Sequence, residues 1–418
     1  MARAVESPPS PRPPSALLGA DAAVEWATES ASPRIAQDSV IRLPECVAYE
    51  RPLAQVAAGV AAATARGAGP VDIADATVML RALGDPHVWP HIWLLEARAL
   101  TEPALFSGWS SWVSRGGASR AGERRCGVAR VSTADGRDIV AVVVADALAD
   151  LAPLPLRARV GQWLRVDARL LVSVRGAELL LLGPQGVPRR VPGSLAGGMF
   201  HATFSLDAPG LWRLQVLLDA GTGPRPALEA WVFVDVDPDL EEVLRAAPGE
   251  AVTLPAGAGK DQLRAALSQM IDSGRRSQGL PSLRRDAALD DLAQAHAEAM
   301  ARRGQTAHDV GDGDPATRVA RAGVVVRRVG ENVARAKSIA RAHRVLWDSP
   351  SHRGNLLDAR FSVLGVGVAQ DDSGDVWVCE LFADFRSAAA AFAIPSRVAS
   401  RSSSTDLVHT GDPAVYRH

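Results

Sequence analysis

The sequence predicts a multidomain α+β chain. A helical N-terminal region closed by a β-hairpin comes first, then an antiparallel β-sandwich, then a C-terminal α-β-α sandwich. Three observations carry this. Apolar residues at helical spacing occupy the first and last thirds. Short apolar runs between Gly- and Pro-rich turns fill the middle. Two apolar hairpins, each turning at a glycine, close the first region and the last. The chain has 418 residues, a length that suggests two to four domains. Composition divides it into an arm at 1–38, an α+β region at 39–152, the sandwich at 153–237, a linker at 238–257, the C-terminal unit at 258–388 and a tail at 389–418.

Residues 1–38 are rich in Pro, Ser and Ala and lack periodicity, the composition of a disordered arm. The polar run SRVASRSSSTD gives the tail the same reading. Val47, Leu53, Val56 and Val60 read as one helical face, and DIADATVMLRALG reads as a second helix capped by Asp72 and ended by Gly84. HVWPHIWLLEARAL, dense in Trp, is assigned to the same helical region, with a break at Pro90. There His87 and His91 are four apart, but the break argues for packing rather than ligation. CGVARVSTADGRDIVAVVVADA is a hairpin turning at Asp135-Gly136. In the middle, QWLRVDARLLV, AELLLLG, MFHATFSL, LWRLQVLLD and ALEAWVFVDV are the strand candidates. DAPGLWRLQVLLD loosely resembles the turn and late strand of an immunoglobulin-like domain. The second hairpin, GVGVAQDDSGDVWVCELFAD, aligns with the first at one offset: Gly127 with Gly365, Val128 with Val366, Gly136 with Gly374 and Asp146 with Asp384. Either residues 39–152 hold a degenerate half-copy of the C-terminal fold, or two similar hairpins arose separately.

Hydrophobic residues make up 47% and charged residues 22%, enough to bury a core in each domain. A net charge of −1 provides no field that selects nucleic acid or an anionic membrane. No apolar run reaches the roughly 18 residues of a membrane span, and no signal-peptide h-region is visible near the start. Cys46, Cys126 and Cys379 are widely spaced without a CxxC pair, which argues against a thiolate zinc site. They read as buried thiols or, in an exported chain, as one disulfide, Cys46–Cys126, plus a free thiol.

From Asp261 the pattern becomes specific. DQLRAALSQMIDSGRRSQG places Leu263, Leu267, Met270 and Ile271 on one face. A second amphipathic helix, carrying His296 on its apolar face, runs to Gly304. There follow in order His308, then Gly330-Glu331-Asn332, then Trp347, Ser349, Pro350, His352 and Arg353, then Asn355-Leu356-Leu357, then a strand with Gly365 and Gly367, then Trp377 to Phe382. This ordered set resembles the bacterial form of the CAP superfamily, the cysteine-rich secretory and pathogenesis-related type with an SCP-like extracellular domain, over residues 258–388. The animal and plant pattern has a further Glu shortly after the Trp and a further His on the later strand. Ser349-Pro350 and the stretch around Glu380 stand near those places here.

The resemblance implies an extracellular or periplasmic location and a cleft built on His308, Glu331 and His352. Asn332, Arg353 and Glu380 form a second tier. Imidazoles titrate near neutrality and bind metals, and a carboxylate beside one orients it. His308 and His352 are the candidate metal ligands, with zinc as the cofactor they fit. His296 and His343 sit on apolar helix faces and read as core or cleft floor. The favoured function is a non-catalytic binding module for a divalent metal or a small apolar, lipid-like or peptide ligand. The alternatives are a metal-dependent, protease-like hydrolase using the same cleft, and a cell-surface scaffold. Ser349 and Ser351 lie near His352, but without a GxSxG elbow or an oxyanion hole they do not make a serine hydrolase.

Overall fold

A computed structural model describes residues 25–26, 41–69, 71–115, 122–221, 223–239, 243, 252, 254–255 and 257–385. Most of the expected arm and linker, and the whole tail, lie outside these residues. Within the arm, β1 (Glu25–Trp26) pairs with β7 (Leu154–Pro155).

The N-terminal unit runs β2 (Ala48–Tyr49), α1 (Arg51–Ala65), α2 (Ile73–Ala82), β3 (His91–Arg98), α3 (Glu102–Ser114), β4 (Glu123–Ser132) and β5 (Arg137–Ala147), with sheet order β2-β4-β5-β3. Leu53, Val56 and Val60 of α1 are buried with Ile139, Ala141 and Val143 of β5. Asp72 caps α2 as expected, accepting from the Ala74 N–H. The Trp-rich segment is not part of a helix: residues 91–98 form β3, antiparallel to β5. The physical reason is an unbroken apolar run, Ile92 to Leu95, that does not alternate with polar residues although only Trp93 of it is buried. Ile92 packs on the α1 side, and Trp93 packs with Trp109 and Val113 of α3 on the other. A short apolar run without polar alternation does not by itself distinguish a strand from a helix. Cys46 and Cys126 are joined in a disulfide, and Cys379 is free and buried.

The middle unit contains β6 (Ala149–Leu151), β7, β8 (Arg157–Ala158), β9 (Trp163–Leu170), β10 (Gly176–Leu182), β11 (Arg189–Val191), β12 (Ser194–Ala196), β13 (Met199–Ser205), β14 (Gly210–Asp219) and β15 (Pro224–Val234). Sheets β11-β10-β14-β15-β8 and β12-β13-β9-β6 contribute to one core that includes Leu179, Phe200, Leu214 and Val232. Because β6 belongs here, the unit begins at Ala149 rather than at residue 153. The run ADALADLAPL stays apolar across the switch, so no turn signal marks it.

The C-terminal unit runs α4 (Lys260–Ser277), β16 (Arg284–Arg285), α5 (Ala287–Arg303), α6 (Pro315–Arg321), β17 (Val326–Ala336), α7 (Ile339–Asp348), α8 (Pro350–Leu356), β18 (Val363–Gln370) and β19 (Val376–Phe385). The sheet order is β16-β18-β19-β17. Asp286 caps α5, and Gly304 ends it at φ 63°, a left-handed conformation that glycine adopts without strain. Leu267, Met270 and Leu346 share a core with Val366, Val378 and Phe382, while Leu289, Ala293 and Met300 of α5 share another with Trp377, Cys379 and Leu381. Helices therefore cover both faces of the sheet. On the α5 face the contact is backbone to backbone: a Cβ on Gly365 would lie 2.3 Å from Leu289 C, and one on Gly367 2.1 Å from Ala293 O.

The N-terminal sheet repeats this connectivity. A two-residue strand, parallel to its neighbour, leads directly into a helix that crosses the sheet. A Cβ on Gly127 would lie 2.0 Å from Leu53 C of α1, as Gly365 meets Leu289 of α5.

The Cys46–Cys126 bridge closes a loop with a sequence separation of 80. Replacing both cysteines by serine is expected to cost about 2–4 kcal/mol, read by urea unfolding. Equal stability of variant and wild type would refute a stabilising role.

Candidate functional site

The site forms around edge strand β17. Strand alternation sends Glu331 to the α5 face, with Cys379 and Leu381, and Asn332 to the opposite face, with Glu380. The side chain of Glu331 is 1% exposed, and a carboxylate so buried needs partners. Its Oε1 receives His308 Nδ1 at 2.8 Å. Its Oε2 accepts from the Arg318 guanidinium and, at 3.3 Å, from Cys379 Sγ. Arg318 also donates to the carbonyls of His308, at 2.7 Å, and Gly313. One guanidinium thus neutralises the carboxylate and shapes the loop that presents His308, whose side chain is 45% exposed. Under the loop, buried His296 is held by Asp312 at 2.7 Å and by the Ala307 carbonyl at 3.0 Å, with Glu331 at 3.9 Å. His296 is therefore the floor beneath His308.

His352 enters from α8. Its Nδ1 lies 2.8 Å from Ser349 Oγ, and its carbonyl accepts from Asn332 Nδ2 at 3.1 Å. Burial pushes this imidazole down to about 3, with charge on His308 acting the same way, so the ring is neutral at physiological pH. Asn332 also donates to Glu380 at 2.9 Å and accepts from Asn355 at 3.0 Å, while Asn355 donates to the Glu331 carbonyl at 3.1 Å. Glu380 lies fully buried under Asn332 rather than on a cleft wall. Burial pushes its carboxyl up to about 8, against the Asn332 hydrogen bond, and its Oε1 has no partner. Arg353 stacks over Trp347 at 4.5 Å and lies 3.6 Å from Asp348, a packing position.

The structure therefore brings His308 and Glu331 into contact and sets His352 within electrostatic reach of His308. The donor atoms of these three do not gather into a compact ligand set. Among the described residues, the group whose donor atoms all lie within 4.8 Å of one another is Glu50, Asp85 and His87, in the N-terminal unit. Sequence reading missed Arg318, which sits in a run of arginines without a motif, and Cys379, which reads as an apolar strand residue.

It also missed a contribution from the sandwich. Gln215, buried on β14, donates to Ser349 Oγ at 3.2 Å and accepts from the Ser351 N–H at 3.0 Å, so the serine that holds His352 is itself held by the neighbouring unit. Arg213–Asp348, at 3.2 Å, and the ion pair of Arg341 with Asp75 extend the contact to both other units.

The matching sheet in the N-terminal unit lacks these groups. Opposite the residue that faces the close-approach glycine stands Glu331 in one unit and Ile92 in the other. By the same register Trp93 stands for Asn332 and Val142 for Glu380. Val60 lies two helical turns beyond Leu53, as His296 lies beyond Leu289.

Residues 269–381 match the model of the CAP, or cysteine-rich secretory protein, family, and the C-terminal unit is a CAP domain. No curated protein matches the chain. Among solved structures, an outer surface protein from Borrelia burgdorferi is 19% identical over 29% of this chain and 92% of its own, with TM-score 0.28. An extracellular protein containing an SCP domain from Bacillus anthracis is 17% identical over 57% of this chain and 86% of its own, with TM-score 0.28. A cysteine-rich secretory protein from Staphylococcus aureus is 12% identical over 57% and 82%, with TM-score 0.26.

The two shifted groups give opposite pH slopes. His352 falls from its ordinary 6.5 to about 3, so the unfolded chain holds the extra proton and stability drops as pH falls through that window. Glu380 rises from 4.5 to about 8, so the folded chain holds the extra proton and stability drops as pH rises through that window. Between roughly pH 6.5 and 8 Glu380 acts without His352, with a slope on the order of 1 kcal/mol per pH unit. Urea unfolding across this range is expected to show a decline that Glu380→Gln flattens. Parallel slopes for variant and wild type would refute the assignment.

Proposed function

We propose that the chain is an extracytoplasmic CAP-domain binding protein whose cleft takes a divalent metal or a small ligand between His308 and His352. The observation that carries this is the saturation of Glu331. Both its oxygens are engaged inside the protein, by His308 on one side and by Arg318 and Cys379 on the other. It is therefore neither a free general base nor a third metal ligand, and the hydrolase reading loses the carboxylate it needs. What remains for a ligand is a pair of imidazoles. His352 is neutral, and its Nδ1 is held by Ser349, so Nε2 is the nitrogen it offers. Neutral imidazole is the metal-binding form.

Location follows from chemistry as well as from the family. A disulfide persists in oxidising compartments and is rare in the cytosol, and Cys46–Cys126 is one. In this reading the residues from 39 to the end of β5 are the degenerate half-copy, with the cleft replaced by core, and the sandwich positions His352 through Gln215.

Zinc titration of the full chain by calorimetry tests the proposal. His308→Ala and His352→Ala are each expected to lose one binding step or weaken it at least tenfold. Unchanged binding in both variants would refute a cleft that works through its imidazoles.

A further inference from the structure

We propose a second metal site, at the junction of the N-terminal unit and the β-sandwich, in which Glu50, Asp85 and His87 hold a divalent transition-metal ion, zinc before others. This does not rest on the cleft reading. Glu50 directly precedes α1. Asp85 and His87 lie in the turn between α2 and β3, and the sandwich clamps that turn: His87 bridges to Leu228, and the Glu229 N–H donates to the Pro86 carbonyl at 2.7 Å.

The three side chains bring donor atoms within 4.8 Å of one another. Zinc ligands sit about 2.0–2.2 Å from the ion, so small side-chain rotations suffice to close the set. Asp85 and His87 are 2% and 1% exposed. Asp85 Oδ1 receives His87 Nδ1 at 2.9 Å and the His87 backbone N–H at 2.8 Å, which fixes the ring. An ion in this set takes the place of the proton that His87 Nδ1 and Asp85 share, so that both become its ligands. The second carboxylate oxygen, Asp85 Oδ2, is buried without a partner. Buried polar atoms are normally satisfied, and an ion accounts for one that is not.

Charge agrees. Arg125 pairs with Glu50 Oε1 at 2.8 Å, Asp150 at 2.7 Å and Glu123 at 3.2 Å. Arg169 also pairs with Asp150, and Arg81 lies 3.6 Å from Glu229 and donates to the Asp85 carbonyl. Glu50, Asp85, Glu123, Asp150 and Glu229 thus face three guanidinium groups and the His87 imidazole, a surplus of carboxylates that favours a cation. Arg125 engages one oxygen of Glu50, and the ion takes the other. One imidazole and two carboxylates form a ligand set for zinc and its neighbours.

The test uses the full chain, stripped with a chelator and titrated with zinc by calorimetry. A His308→Ala/His352→Ala background removes the cleft. One zinc per chain is expected in that background, with thermal unfolding shifted upward by the metal. Adding Glu50→Gln or His87→Gln is expected to weaken this step at least tenfold and to abolish the thermal shift. If the folded background protein binds no zinc, or both additions bind as tightly as it does, the site is refuted. Should His87→Gln fail to fold, Glu50→Gln, on a partly exposed residue that packs less, decides. Failure of the cleft reading leaves a different mark: wild type and the cleft double variant would then bind alike.

Discussion

The CAP domain is organised around one buried negative charge. Glu331 sits on an edge strand with a side chain almost fully removed from water, where an unpaired carboxylate is not tolerated. Arg318 answers it from α6, and breaking such a pair by removing one partner costs on the order of 3–5 kcal/mol. The same guanidinium holds the carbonyls of His308 and Gly313. The position of the cleft imidazole is therefore a by-product of charge neutralisation. The loop from α5 to α6 cannot relax away from the strand without uncovering Glu331.

Below this pair, buried polar groups continue into the other units. His352 is held by Ser349, Ser349 by Gln215, and Gln215 also donates to Glu229 at 2.5 Å. Glu229 lies against Arg81, which reaches the Asp85 backbone. Each member is satisfied largely by the next, so a change at one end leaves a buried group unpaired further along. This ties the sandwich to the cleft more closely than a spacer would be. It also places the Asp85–His87 pair at the far end of the same set of contacts.

His308, Glu331, Asn332 and His352 could be singled out because they are bound to local chain features. His308 follows a glycine-ended helix, Glu331 and Asn332 are adjacent on one strand, and His352 opens a short helix behind Ser-Pro. Arg318 was not legible, because an arginine on a polar helix looks the same whether it meets water or a carboxylate. Gln215 was invisible for a related reason: Ser349 and Ser351, which it holds, lie more than a hundred positions away, in another unit. β3 was misread because Ile92 to Leu95 form an unbroken apolar run with no alternation to betray a strand. The onset of the sandwich was placed late because β6 continues an apolar run. The Cys46–Cys126 pair was one of two open readings, and only proximity in space could choose.

The two sheets with like connectivity show what burial permits. Both keep the close approach of helix to strand, at Gly127 and at Gly365, since any side chain there would displace the helix. Both keep a two-residue parallel edge strand leading into that helix. What differs is the chemistry beside the glycine. In the CAP domain Glu331, Asn332, Glu380 and His296 require a mutually dependent set of partners, including Arg318. At the corresponding places of the N-terminal unit Ile92, Trp93, Val142 and Val60 require none, and α3 closes over the face with Trp109 and Val113. Replacing a whole polar network by apolar side chains is energetically easy, whereas replacing one member is not. Glu50, Asp85, His87 and Arg125 gather where this unit meets the sandwich, and Asp85 Oδ2 there is buried without a partner.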